Sequence, residues 1–268
     1  MFKNLPKHTK LVLGLMVFLP VYFAIAALGT KVGLWGWQFG LVTLTRNGGM
    51  ILLGLTALAA LVSLVLAARM TPRHNGLISV AILGLLVPGA ALVMFLNAGS
   101  KADANPIHDV ATDTANPPAF SAATMQARAD AGANPLSDYQ VPLRELELYQ
   151  TSAPELVIKS HAQIITDRYA TLAPLPLAGA SRTDAIAAVA AAMGNMGFKD
   201  IRPDPEAGTV EGVAESFWFG FKDDVVARID ANEINFRSVS RVGRSDLGAN
   251  AARIAELRDR VATQIGQR

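Results

Sequence analysis

The stretch "RSVSRVGRSDLGANAARI" (residues 237–254) decides how the second half of this chain folds. Its first part alternates side chains like a β-strand, Gly243 permits a tight turn, and Ser245 or Asp246 stands where a helix cap accepts from free backbone N–H groups. Further on, Leu247, Ile254, Leu257, Val261 and Ile265 recur at helical spacing, so 246–265 reads as a helix with one apolar stripe. A strand therefore hands over to a helix at this corner. Asp246 also suits the positive end of the helix dipole and is placed to pair with Arg241 or Arg244.

Working upstream, Ala231 and Asn232 join two strand candidates, 224–230 and 233–241, through a link short enough for a tight hairpin. If Asp230 faces Glu233, then Val225, Ala227, Ile229, Ile234, Phe236 and Ser238 share one face. Asp224, Arg228, Asn235, Arg237 and Arg241 share the other, which reads as the wetter side of an antiparallel sheet. Two more strand candidates precede these, at 198–202 and 209–215. Ser181–Met196 reads as an alanine-rich helix capped by Ser181 or Thr183 and ended by Gly194 and Gly197. The expectation is a small α+β domain over 155–268, a four-stranded antiparallel sheet with two helices.

Between residues 101 and 154 Ala, Asn, Asp and Pro dominate, and prolines at 106, 117, 118, 135 and 142 block regular helix. A flexible stalk and an ordered arm of the next domain are both open readings of it.

The first hundred residues are a different material. They carry seven of the 24 Lys and Arg residues and no Asp or Glu, so the remainder holds 17 basic against 22 acidic residues, a net of −5. The basic character of the chain flanks apolar segments, which argues against nucleic acid as a partner. Three uncharged runs, Leu11–Thr30, Asn47–Ala68 and Asn75–Ser100, each exceed the roughly 20 residues needed to cross a bilayer as helix. They read as three retained spans, with Pro20 and Pro88 inside the first and third and with Gly54, Gly84 and Gly89 able to allow close helix contact. Lys3, Lys7, Lys10, Arg69 and Arg73 on one side against Lys31, Arg46 and Lys101 on the other favour a cytoplasmic N-terminus in a bacterial inner membrane. The C-terminal domain is then periplasmic or otherwise extracytoplasmic. Trp35, Trp37 and Phe39 read as an interfacial anchor, and the lack of ionisable residues inside the three runs argues against ion transport.

The run "FWFGFKDDVVARI" followed by "INFRSVSRVGRSDLGANAARIAELR" resembles the bacterial domain-of-unknown-function family 1499. The resemblance is carried by Phe221, Asp223 and Asp224, then by Arg237, Ser238, Ser240, Arg241, Gly243, Ser245, Asp246, Leu247, Gly248 and Asn250. "IHDVATDTANPPAF" and "RYATLAPLPL" are similar to the family's approach to the domain, so the similarity spans about 107–261. Some members carry a Cys-Val-Ser segment; this chain has no cysteine and is similar to the subgroup with hydrophobic N-terminal spans. The resemblance implies an architecture and a cell-envelope setting. It implies no reaction.

Two groups of residues stand out as candidate sites. Arg228, Arg237, Arg241 and Arg244, with Ser245, Asp246 and Asn250, are candidates for holding an anion or a partner, unless Asp223, Asp224, Asp230 and Asp246 consume the arginines internally. Phe217, Trp218, Phe219 and Phe221 cannot all face one buried side of a strand, which leaves aromatic surface for a ligand, a partner or the bilayer. The four histidines lack zinc spacing, no nucleophile-elbow sequence supports a Ser-His-Asp triad, and no cofactor motif is present. The reading is a membrane protein whose outer domain is a non-catalytic binding or assembly module of the cell envelope, meeting the lipid bilayer and an envelope protein or an anionic lipid or glycan. The alternatives are a hydrolase or transferase acting on an anionic envelope component, and a structural subunit of a larger membrane complex.

Overall fold

The computed structural model describes residues 5–152 and 154–266, and Lys3 of the basic leader lies outside them. The chain divides into two compact units, one of residues 1–100 with 217–220 and one of residues 101–216 with 221–268.

Among the described residues, three helices are long and apolar enough to cross a membrane. Helix α1 is Lys7–Lys31, α2 is Gly49–Ala68 and α3 is Asn75–Ala104. Pro20 and Pro88 sit inside α1 and α3. The second span starts earlier than Asn47, because a π-helical stretch, Gln38–Gly48, runs directly into α2 and takes Arg46 into the same rod. Polar composition hides that extension, since Gln38, Thr43, Thr45, Arg46 and Asn47 interrupt the apolar run from which the span is read. Close packing depends on Gly84, where a Cβ would come within 2.4 Å of Val12 Cγ1 and 2.9 Å of Ala60 Cβ. Gly54 and Gly89, read with it, would meet nothing within 4 Å. Trp35 folds back on α1, its indole N–H donating to the Ala26 carbonyl at 3.2 Å and to Thr30 Oγ1 at 3.1 Å.

Among the described residues, the second unit is built on six antiparallel strands rather than four. They are β1 (Asp109–Ala111), β2 (Leu175–Pro176), β3 (Lys199–Asp204), β4 (Thr209–Glu215), β5 (Lys222–Ile229) and β6 (Glu233–Ser240). The order across the sheet is β1-β6-β5-β4-β3, with β2 also on β6. β1 and β2 are three and two residues long, too short to show a period, and they fill the free edge of β6 from segments with no strand signal of their own. The β5–β6 hairpin has the expected register, with Ile229 opposite Ile234 and Val225 opposite Ser238.

Helices α7 (Arg182–Asn195) and α8 (Ala249–Ile265) cover one face. Ile186, Val189 and Met193 from α7, with Ile254, Leu257 and Val261 from α8, pack with Val225, Ala227, Ile229 and Phe236 in the main core. Ser181 caps α7, its hydroxyl accepting from the Asp184 N–H at 3.1 Å.

The other face is covered, not wet. Residues 105–152 form an ordered arm containing β1, helix α4 (Ala122–Asp130) and two 3-10 turns, followed by the short α5 (Pro154–Val157) and by α6 (His161–Arg168); its part from Phe120 to Leu136 lies over this face, while Ile107, Tyr139, Leu143 and Tyr149 pack in the main core. Phe120 from the arm packs on Val226 and Val239 of the sheet. Glu211 of β4 accepts from the Ser121 hydroxyl at 2.7 Å and the Thr124 hydroxyl at 2.5 Å, which docks the start of α4 on the sheet.

Candidate functional site

Strand alternation divides the Arg-Ser-Val-Ser-Arg run of β6 between the two faces. Arg237 and Arg241 point under the arm, while Ser238 and Ser240 point toward α8.

Under the arm, Arg237 is buried and grips Asp109 of β1 with two bonds, Nε to Oδ1 at 3.0 Å and Nη2 to Oδ2 at 2.7 Å. Its third contact is the Pro118 carbonyl at 3.3 Å. The guanidinium also lies 5.2 Å from the Tyr139 ring centroid and 5.8 Å from that of Phe120. Asp109 further accepts from the Tyr139 hydroxyl and from the Ser137 N–H. Burial drives the Asp109 carboxyl up, but the Arg237 charge and these hydrogen bonds outweigh it and hold the group below the usual carboxylate range. Arg241 makes the same two-point grip on Asp224, at 2.9 and 2.7 Å, and Asp224 takes a third bond from buried Arg128 of α4 at 2.6 Å. Arg228 pairs with Asp230 at 2.8 Å and reaches Asp113 at 3.4 Å.

Beside this cluster lie two histidines and a second tyrosine. The Nδ1 of His108 is 2.6 Å from the Tyr149 hydroxyl and its Nε2 is 3.2 Å from the Pro135 carbonyl. A carbonyl only accepts, so Nε2 carries the proton and Nδ1 accepts from Tyr149. His161, edge-on to Tyr139, Tyr149 and His108, is fully buried, and among the described residues neither ring nitrogen has a hydrogen-bond partner. Burial lowers both histidines, His161 to about 4, with Asp109 opposing. These are acid–base side chains, but none of His108, Asp109, Tyr139, Tyr149, His161 and Arg237 is more than 4% exposed.

On the α8 side, Asn250 is the hub. Its amide donates to the His108 carbonyl at 2.8 Å and to Ser240 Oγ at 3.0 Å, and its carbonyl accepts from Ser238 at 2.5 Å and from Arg253 at 2.6 Å. Arg253 also donates to Asp223 at 2.7 Å. Asp246 pairs with neither Arg241 nor Arg244 here. It accepts from the N–H groups of Gly248 at 2.7 Å and Asn250 at 2.8 Å, and so satisfies the helix start from in front of it. Burial pushes its carboxyl up to about 6 against those two bonds. Ser245 donates to the Asn105 carbonyl at 2.6 Å, and Arg244 reaches the Thr151 hydroxyl at 2.8 Å.

Leu247 departs from the sequence expectation. α8 begins at Ala249, not at 246, so Leu247 is not on its apolar stripe. It is 46% exposed and adopts φ +58°, a left-handed conformation that costs a side-chain-bearing residue roughly 1–2 kcal/mol.

The four aromatics at 217–221 separate as well. Phe217, Trp218 and Phe219 occupy the turn between β4 and β5 rather than a strand, and Phe221 closes it, its carbonyl accepting from the Ser216 N–H at 2.8 Å. Phe217 and Trp218 are exposed, while Phe219 and Phe221 are half-buried.

Reading the residues alone missed Asp109, Arg128, Tyr139, Tyr149 and His161 as members of one cluster. The residual signal is compositional and weak: residues 105–152 hold one histidine and two tyrosines, His108, Tyr139 and Tyr149, but four aspartates, so composition does not single out Asp109. Among the described residues, no group of three or more His, Cys, Asp or Glu side chains is disposed to hold a metal ion.

A family model described as protein of unknown function (DUF1499) matches residues 109–261. No curated protein and no solved structure matches the chain.

Proposed function

We propose that this chain, which belongs to the DUF1499 family, is an integral membrane protein that displays a non-catalytic binding or assembly module of the cell envelope. The N-terminus is cytoplasmic and the module extracytoplasmic, in keeping with the bias of Lys and Arg around the spans.

The observation that carries this reading is Leu247. A leucine held exposed in a strained conformation, with Ser245, Asp246 and Asn250 hydrogen-bonded around it, is a costly arrangement for the fold alone and a serviceable one for a contact. Arg244, exposed on the same corner, adds a charge at the edge of that contact. The buried arginines support the same reading, since Asp109 and Asp224 occupy both guanidinium forks and no anion competes for Arg237 without displacing the arm. The partner is an envelope protein.

The test is Leu247→Gly combined with Arg244→Ala in the full chain. Glycine accepts the left-handed conformation, so thermal stability should hold or rise slightly. Complexes captured by crosslinking in native membranes should disappear from the variant and persist in the wild type. Identical crosslinked species from both would overturn the proposal. Turnover of an anionic ester by the purified chain, lost on Arg241→Gln, would favour a hydrolase or transferase instead.

A further inference from the structure

We infer that the β4–β5 turn, residues 217–220, is a second membrane anchor, seated in the headgroup layer of the bilayer that the chain's own helices cross. The turn belongs to the same compact unit as those helices. Lys31, the last residue of α1, donates from Nζ to the Phe217 carbonyl at 2.7 Å, and its Nζ lies 5.1 Å from the Phe217 ring centroid. A Cβ on Gly220 would stand 3.2 Å from Lys31 Cα, so a backbone without side chain is what permits the approach. Gly220 also has φ +67°, the conformation the tight turn requires.

What the turn presents is then read from its two exposed side chains. Phe217 is 71% exposed and Trp218 is 54% exposed, their rings edge to face at 5.1 Å. Water is a poor neighbour for two such rings at a hairpin tip. The boundary between headgroups and hydrocarbon suits them, because it accepts the apolar ring and offers the indole N–H a polar partner. The end of a spanning helix marks that boundary, and its terminal lysine places a cation at the level of the lipid phosphates.

Connectivity supports the same side of the membrane. With three crossings, the end of α1 and the end of α3 emerge on one face. Only residues 105–108 separate α3 from β1.

The chain has no cysteine, which makes the test direct. Trp218→Cys in the full chain takes a single environment-sensitive fluorophore, and Ala207→Cys, on the exposed β3–β4 turn, serves as the control. Both are reconstituted into phosphatidylcholine–phosphatidylglycerol vesicles containing lipids with a nitroxide at the headgroup or near the end of the acyl chain. The label at 218 should lose emission to the headgroup nitroxide, and less to the deep one, because aromatic belts sit at headgroup level. The label at 207 should lose little to either. Adding Phe217→Asp should return the 218 label toward the control. Equal quenching at 218 and 207 would overturn the inference, and so would a 218 label that is shielded only in native membranes, which would assign the turn to a protein partner.

Discussion

The two faces of the six-stranded sheet are covered by different physics. Toward α7 and α8, valine, alanine, isoleucine and phenylalanine meet apolar stripes, and the contact is non-directional. Under the arm, Asp109, Glu211, Asp224, Arg228 and Arg237 outnumber the apolar Val226 and Val239, and the cover is held by paired charges with fixed geometry. Away from the Asn250 network with Ser238 and Ser240, the first face tolerates apolar side chains of suitable volume. The second demands particular partners, because a buried charge that loses its mate keeps its desolvation cost.

The largest expected effect breaks that contrast at its centre. Arg237→Ala should lower stability by about 3–5 kcal/mol in chemical denaturation, since Asp109 is left buried and unpaired. Replacing both partners, Asp109→Leu with Arg237→Met, should recover most of that loss; if the double variant is as unstable as the single, repulsion of an orphaned charge is not the mechanism. A sharper comparison follows from conservative changes. Arg237→Lys should cost nearly as much as Arg237→Ala, because an ammonium cannot make the two-point grip or stack on Tyr139. Leu257→Met on the apolar face should cost less than about 1.5 kcal/mol. Melting curves of the two variants decide it.

A smaller effect comes from His161. Its folded value of about 4 lies below the ordinary 6.5, so on acidification the unfolded chain takes up a proton first, and stability falls as pH drops from 6.5 toward 4. Asp246, raised to about 6, works in the opposite direction over the same range, and His108, also lowered, adds to the loss. Comparing wild type with His161→Leu isolates the His161 share, about 2 kcal/mol between pH 7 and pH 5. The variant should be as stable as wild type or more so at pH 7, because the ring nitrogens it removes have no partner among the described residues. A pH profile parallel to wild type would contradict this account. Smallest of all, Arg260→Ala breaks an exposed pair with Glu256 at 2.8 Å and should change stability by under about 0.5 kcal/mol.

How far the molecule was legible follows the same division. The β5–β6 register, the limits of α7 and the strand-to-helix corner are written in local periods and caps, and they stand in the structure within a few residues of where the sequence places them. The candidate arginines were visible as a cluster, but their chief partner was not. Asp109 is 128 residues from Arg237, and a contact across that separation leaves no local pattern. Leu247 was misplaced for a related reason: a leucine at helical spacing looks like stripe until the backbone in front of the helix turns left-handed.

By itself, the sequence determined three apolar segments long enough to span a bilayer, the antiparallel hairpin and the corner that follows it, because hydrophobic period and turn chemistry act over a few neighbouring residues. Only the tertiary structure decided that the sheet has six strands and two covered faces, and that Arg237 and Arg241 are claimed by Asp109 and Asp224. Edge pairing and buried ion pairs join residues far apart in the chain, and their energy exists only once the fold has brought them together.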